Sequence, residues 1–112
     1  MARVHVFSGR CGFNTDIEAT KFESDDGDVV KLTITSECDA CQRLSKVLSE
    51  VNPYREITYR GQGPLVLQLA SKTLTHPACP VPSGIIKAIE VAAGLALPMD
   101  AEIKVYPDGT SS

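Results

Sequence analysis

The 112-residue chain has a formal charge of −3, is 43% hydrophobic and contains no basic run. That length suits one domain with its own core, and the charge lacks the footprint of a nucleic-acid binder, so no nucleic-acid partner is expected. No apolar run reaches the roughly 20 residues that a membrane-spanning helix needs, so no membrane partner is expected either.

The opening Met-Ala-Arg-Val-His-Val-Phe enters a strand-like alternation without the apolar region of a signal peptide. A cytoplasmic location is therefore the expectation. In such a compartment the four cysteines point to metal or redox use rather than to disulfides.

Val4 and Val6 flank His5 in a short strand, and His5 alone on it reads as structural. Gly9 and Gly12 bracket Cys11 in the next loop, leaving backbone amides free to approach a sulfur. From Asn14 to Phe22, Thr15, Ile17 and Ala19 alternate with Asp16, Glu18 and Thr20. From Asp28 to Thr35, Val30, Leu32 and Ile34 alternate with Lys31, Thr33 and Thr35. Period-two alternation gives each strand one buried and one wet face. Ser24-Asp25-Asp26-Gly27 closes the two into a hairpin. The acidic tip lacks the ligand spacing of a calcium loop.

Ser36 to Val51 reads as an amphipathic helix, with Leu44, Val47, Leu48 and Val51 on one stripe. Ser36 or Asp39 is its expected cap. Cys38 and Cys41 form a C-x-x-C pair at its start, a spacing used by zinc sites and by redox pairs. Cys41 lies on the apolar stripe, where a cysteine also serves as a plain core residue; Cys38 lies off it. Asn52-Pro53 ends the helix. A short strand at Ile57-Thr58-Tyr59 and a helix from Leu65 to Leu74 are expected next.

His76-Pro77-Ala78-Cys79-Pro80-Val81-Pro82 is stiffened by its prolines, and a strongly apolar helix from about Pro82 to Ala93 follows it. Cys79 therefore stands at a helix N-terminus, where amides and the macrodipole favour a thiolate. Only Lys87 and Glu90 mark a wet side. The alanines and Gly94 allow close approach by another element or a second copy, so a homodimer is one expectation. Ala101 to Tyr106 alternates as a last strand, and Pro107 to Ser112 is a polar tail.

Cys38/Cys41 and His76/Cys79 repeat the x-x spacing. With Cys11 they form a candidate thiolate–imidazole set for zinc or an iron–sulfur cluster. No serine–histidine–acid arrangement, phosphate loop or dinucleotide fingerprint is present, and whether the chain is an enzyme stays open.

Cys11-Gly12-Phe13, Ser36-Glu37-Cys38, His76 to Gly84 and Ala88 to Pro98 resemble a family of small prokaryotic proteins of unknown function, over nearly the whole chain. Cys79-Pro80-Val81-Pro82, followed by a helix, is similar to the CPxP motif of the TusA/SirA sulfur carriers. That resemblance implies a persulfide on Cys79. In the carriers the motif follows the first strand, whereas here it falls in the last third of the chain.

The expected fold is a single α+β domain over residues 1–112. About four strands form a mixed or antiparallel sheet, covered on one face by three helices. The leading functional expectation is metal binding through Cys11, Cys38 and Cys79 with His76 or Cys41. A sulfur-transfer or thiol-redox protein using Cys79, with Cys38 as its partner, is the second expectation. A structural or dimerisation module with buried cysteines is the third.

Overall fold

The alternating segments build the sheet. A computed structural model of the chain describes residues 1–107; the end of the polar tail lies outside them. The strands β1 (Ala2–Phe7), β2 (Asn14–Ser24) and β3 (Gly27–Ser36) form an antiparallel meander. The tight turn of β2–β3 needs Gly27, whose φ is +113°. The sheet order is β1-β2-β3-β4, and β4 (Glu50–Val51) is a two-residue edge that pairs Val51 with Val30. Ile17, Ala19, Val30, Leu32 and Ile34 point to one side and are buried. Arg3, Glu18, Lys31, Thr33 and Thr35 point to the other and are exposed.

Among the described residues the chain also forms four helices: α1 (Asp39–Val47), α2 (Pro53–Glu56), α3 (Leu65–Thr73) and α4 (Val81–Ala92). Helix α1 packs on β3, α4 packs on β1 and β2, and α3 rests on α1 and α4. The fold is thus the expected single-domain α+β arrangement, with an antiparallel sheet and one helix more than anticipated. The α4 stripe is as expected: Val81, Ile85, Ala88 and Ile89 are fully buried, and Lys87 faces water. No helix among the described residues is long and apolar enough to cross a membrane.

Three expectations need correction. The first helix starts at Asp39 and ends at Val47, not at Ser36 and Val51. Ser36 closes β3 instead, and its Oγ accepts from the Cys38 N–H at 3.1 Å. Beyond Val47 the sheet edge competes for the backbone: Leu32 N–H donates to the Ser49 carbonyl at 2.8 Å, and Glu50–Val51 joins β3. Leu48 and Val51 are buried in either conformation, so the stripe does not separate the two.

The second correction concerns 57–59, which form no strand. The chain makes α2 just before them, capped where Asn52 Oδ1 accepts from the Tyr54 N–H at 3.0 Å. The third concerns Ala101–Tyr106, which is an exposed segment outside the sheet.

Two contacts set the helices. Glu56 is buried, and its carboxylate accepts from the Leu65 N–H at 3.0 Å and the Val66 N–H at 2.8 Å. It caps α3, whose own N-cap position holds Pro64 and makes no side-chain cap bond. Gly84 lets α4 lie directly on β1: a Cβ there would stand 2.5 Å from Val6 Cγ2 and 3.5 Å from Ile17 Cδ1.

Glu56→Gln should cost about 1.5–3 kcal/mol, because an amide offers one acceptor to two charge-assisted donors. Gly84→Ala should cost about 1–3 kcal/mol, because the β-branched Val6 side chain is stiff and the core is full. Urea unfolding checks both; a loss under about 0.5 kcal/mol for either variant is what an ordinary surface substitution gives and would dismiss that contact as an anchor.

Candidate functional site

The strand register gathers the chemistry-bearing residues at one end of the sheet. Phe7 pairs with Asn14 and Thr15 with Ser36, so the Cys11 loop and the β3–α1 junction lie side by side, opposite the hairpin tip. Gly84, in the first turns of α4, sits against Val4 and Val6 near the same end. Cys79, just before α4, therefore comes to that end too.

A polar clamp ties the junction to the sheet. Glu37 Oε1 accepts from the Asn14 backbone N–H at 2.7 Å and from Asn14 Nδ2 at 3.2 Å, while the Glu37 N–H donates to the Asn14 carbonyl at 3.2 Å. The bond from the Asn14 backbone, and then the one from its side chain, hold the Glu37 carboxyl below its usual range. Ser36 Oγ shares a 2.7 Å hydrogen bond with Thr15 Oγ1, and Gln42 Nε2 donates to the Ser36 carbonyl at 2.9 Å. Nothing in the sequence pattern singled out Glu37. Its partner lies 23 residues away and is adjacent only once the sheet register is known.

Three of the expected site residues come together. Cys38 occupies the N-cap of α1 and is half-buried. Cys41, one turn on, is 1% exposed. Cys79 is half-buried from the α4 side. Burial pushes the Cys41 thiol up to about 12, and the neighbouring Cys38 and Cys79 add to the rise, as the charge on a nearby thiolate disfavours a second. All the cysteines are free thiols.

The other two expected residues lie nearer solvent. Cys11 is exposed on its loop, which is closed by Gly12 N–H donating to the Gly9 carbonyl at 2.8 Å. His76 is exposed, and its carbonyl accepts from the Cys79 N–H at 3.3 Å. Among the described residues, no three His, Cys, Asp or Glu side chains already stand in a metal-holding arrangement. Neither the five-residue set nor the cysteine trio is therefore assembled as a metal centre. His5 lies outside the site. It bonds Asp16 Oδ1 at 2.9 Å and Asn14 Oδ1 at 3.0 Å, and the Asp16 bond leads in raising its pKa.

An open groove of about 410 Å³ runs between α3 and the start of α4. Leu67, Ala70, Leu74 and Pro82 make it largely apolar, and His76 and Cys79 contribute its chemistry-bearing atoms. It gives the Cys79 side an approach from solvent.

No curated protein and no solved structure matches the chain. A family model does match, over residues 2–105: a family of unknown function designated DUF6951. The matched region spans the sheet, all four helices and every cysteine, and the chain belongs to that family.

Proposed function

We propose that the chain binds a thiophilic metal, as zinc or an iron–sulfur cluster, through Cys38, Cys41 and Cys79. One observation carries the reading: three thiols from two separate segments converge where helices begin, and the buried one feels the other two. Thiolates are the ligands of both kinds of centre. A bound cation also removes the electrostatic cost of setting thiolates beside one another, because coordination deprotonates a thiol outright. Cys11 and His76 belong to the same end of the fold and are the candidates for a fourth ligand.

A second reading has its own support. Cys38 is half-buried at a helix N-cap, whereas Cys41 is buried and protonated. That asymmetry suits a dithiol pair, in which the outer sulfur attacks and the inner one resolves. Oxidation of the pair would send two electrons to a partner disulfide, whose sulfurs take up the two protons.

Elemental analysis and absorption spectra of protein purified without oxygen separate the readings. Metal binding predicts stoichiometric zinc, or visible charge-transfer bands, lost in Cys38→Ser and in Cys79→Ser. Metal-free protein that readily forms a Cys38–Cys41 disulfide would transfer the case to the redox reading. A persulfide on Cys79 would appear as one added sulfur in the intact mass, removed by a thiol reductant.

Alkylation tests the arrangement of the thiols directly. With its pKa at about 12, Cys41 holds only about one thiolate in 10⁴ at pH 8. In folded, reduced, metal-free protein iodoacetamide should label Cys11, Cys38 and Cys79 well before Cys41. Equal labelling rates at all four positions would contradict the buried placement of Cys41.

A further inference from the structure

Beyond the thiol site, the fold leaves two complementary elements without partners among the described residues. The first is the segment that follows α4. Leu97, Met99, Ile103 and Val105 are 88%, 86%, 82% and 87% exposed, and residues 98–107 belong to neither helix nor strand. Met99, Ala101, Ile103 and Val105 alternate with Asp100, Glu102 and Lys104, the pattern of a strand with one covered face. The second element is β1, an edge strand that pairs only with β2 among the described residues. Its outer row of backbone N–H and C=O groups is open to another strand. Val4 and Val6 lie beneath α4 yet are only half-buried, whereas Ile17 and Ala19 on β2 are fully buried. The β1 edge thus has uncovered apolar surface on its core side.

We propose that residues 98–103 of one chain add antiparallel to the β1 edge of a second copy, and that reciprocal exchange forms a homodimer. Side-chain parity and charge select the register. With Ala2 opposite Ile103, Val4 opposite Ala101 and Val6 opposite Met99, the apolar layer continues past the edge. The same register sets Arg3 opposite Glu102 on the wet face, where opposite charges across strands are favourable, and Asp100 beside His5, whose ring nitrogens bond Asp16 and Asn14. Pro98 falls opposite Phe7 at the strand end, where a missing N–H is tolerated. A slip of one residue would turn Ile103 into water. A slip of two one way would oppose Arg3 to Lys104, and the other way would place Pro98, which has no N–H, opposite His5 in the middle of β1.

The antiparallel direction requires a second chain. Helix α4 begins beside Val6, so the segment that leaves its far end would return onto its own β1 in the parallel sense. The small residues Gly84 and Ala88 of α4 are already buried within the chain, against β1 and in the core.

Light scattering coupled to size exclusion tests the exchange. The full chain should run as a dimer, and truncation after Leu97 should give a folded monomer with an unchanged circular dichroism spectrum. Arg3→Glu alone and Glu102→Arg alone should each be monomeric. Mixing those two variants should restore a heterodimer, because both of its interfaces then pair opposite charges. A monomeric full chain, a truncated chain that remains dimeric, or a mixture that stays monomeric would each overturn the proposal.

Discussion

The position of α4 depends on one missing methyl group. At Gly84 the helix backbone lies against Val6, closer than any residue with a Cβ allows. That approach seats the first turns of α4 against β1 and β2, and Ile85 and Ile89 then fill the core above Ile17 and Ala19. Cys79 is five residues before Gly84, on a segment whose prolines leave few conformations. The height of α4 on the sheet therefore also sets how near Cys79 comes to Cys41 on α1. Packing at an apolar contact and the placement of Cys79 are one constraint.

The second layer is held by a different force. Helix α3 packs on α1 and α4 rather than forming a sheet contact of similar extent. Its N-terminus is fixed by the buried Glu56 carboxylate, which meets two backbone donors that would otherwise be orphaned. The charge stays tolerable because it faces the positive end of the helix dipole. Helix α3 in turn forms one wall of the groove beside Cys79. Glu56 thus acts on the site at second hand, through the helix that it caps.

The hairpin and α4 are legible in the sequence because each has one periodicity and no rival. β2 alternates from Asn14 to Thr20 and β3 from Val30 to Thr35, and α4 is apolar on every side but one. The end of α1 is ambiguous because Leu48 and Val51 continue a helical stripe and also suit a buried turn into β4. What decides is the Leu32-to-Ser49 hydrogen bond, which no local pattern encodes. Glu56 is invisible for a related reason, since the amides it caps come nine and ten residues later. At the C-terminal segment the alternation is clear, but a strand also needs an adjacent edge, and the sequence does not say where that edge lies. In the site, the burial of Cys41 follows from its place on the α1 stripe. Its proximity to Cys79 does not, because it depends on how two helices sit on the sheet.

A lone buried cysteine is an ordinary small hydrophobe, and Cys41 alone would need no other explanation. Its neighbours change the argument. Alanine would fill the same space as a core residue without adding an ionisable group. Here a buried thiol is instead flanked by Cys38 and Cys79, so any thiolate among them raises the cost of the next. Burial and these neighbours keep the Cys41 thiol neutral, and as a free thiol it contributes little beyond its packing. The mutual cost disappears when a cation binds, or when two sulfurs join in a disulfide, because either removes the like charges. Three thiols so placed gain least when they remain free thiols. That difference between free and bonded sulfurs is the physical reason to look for function at this end of the sheet.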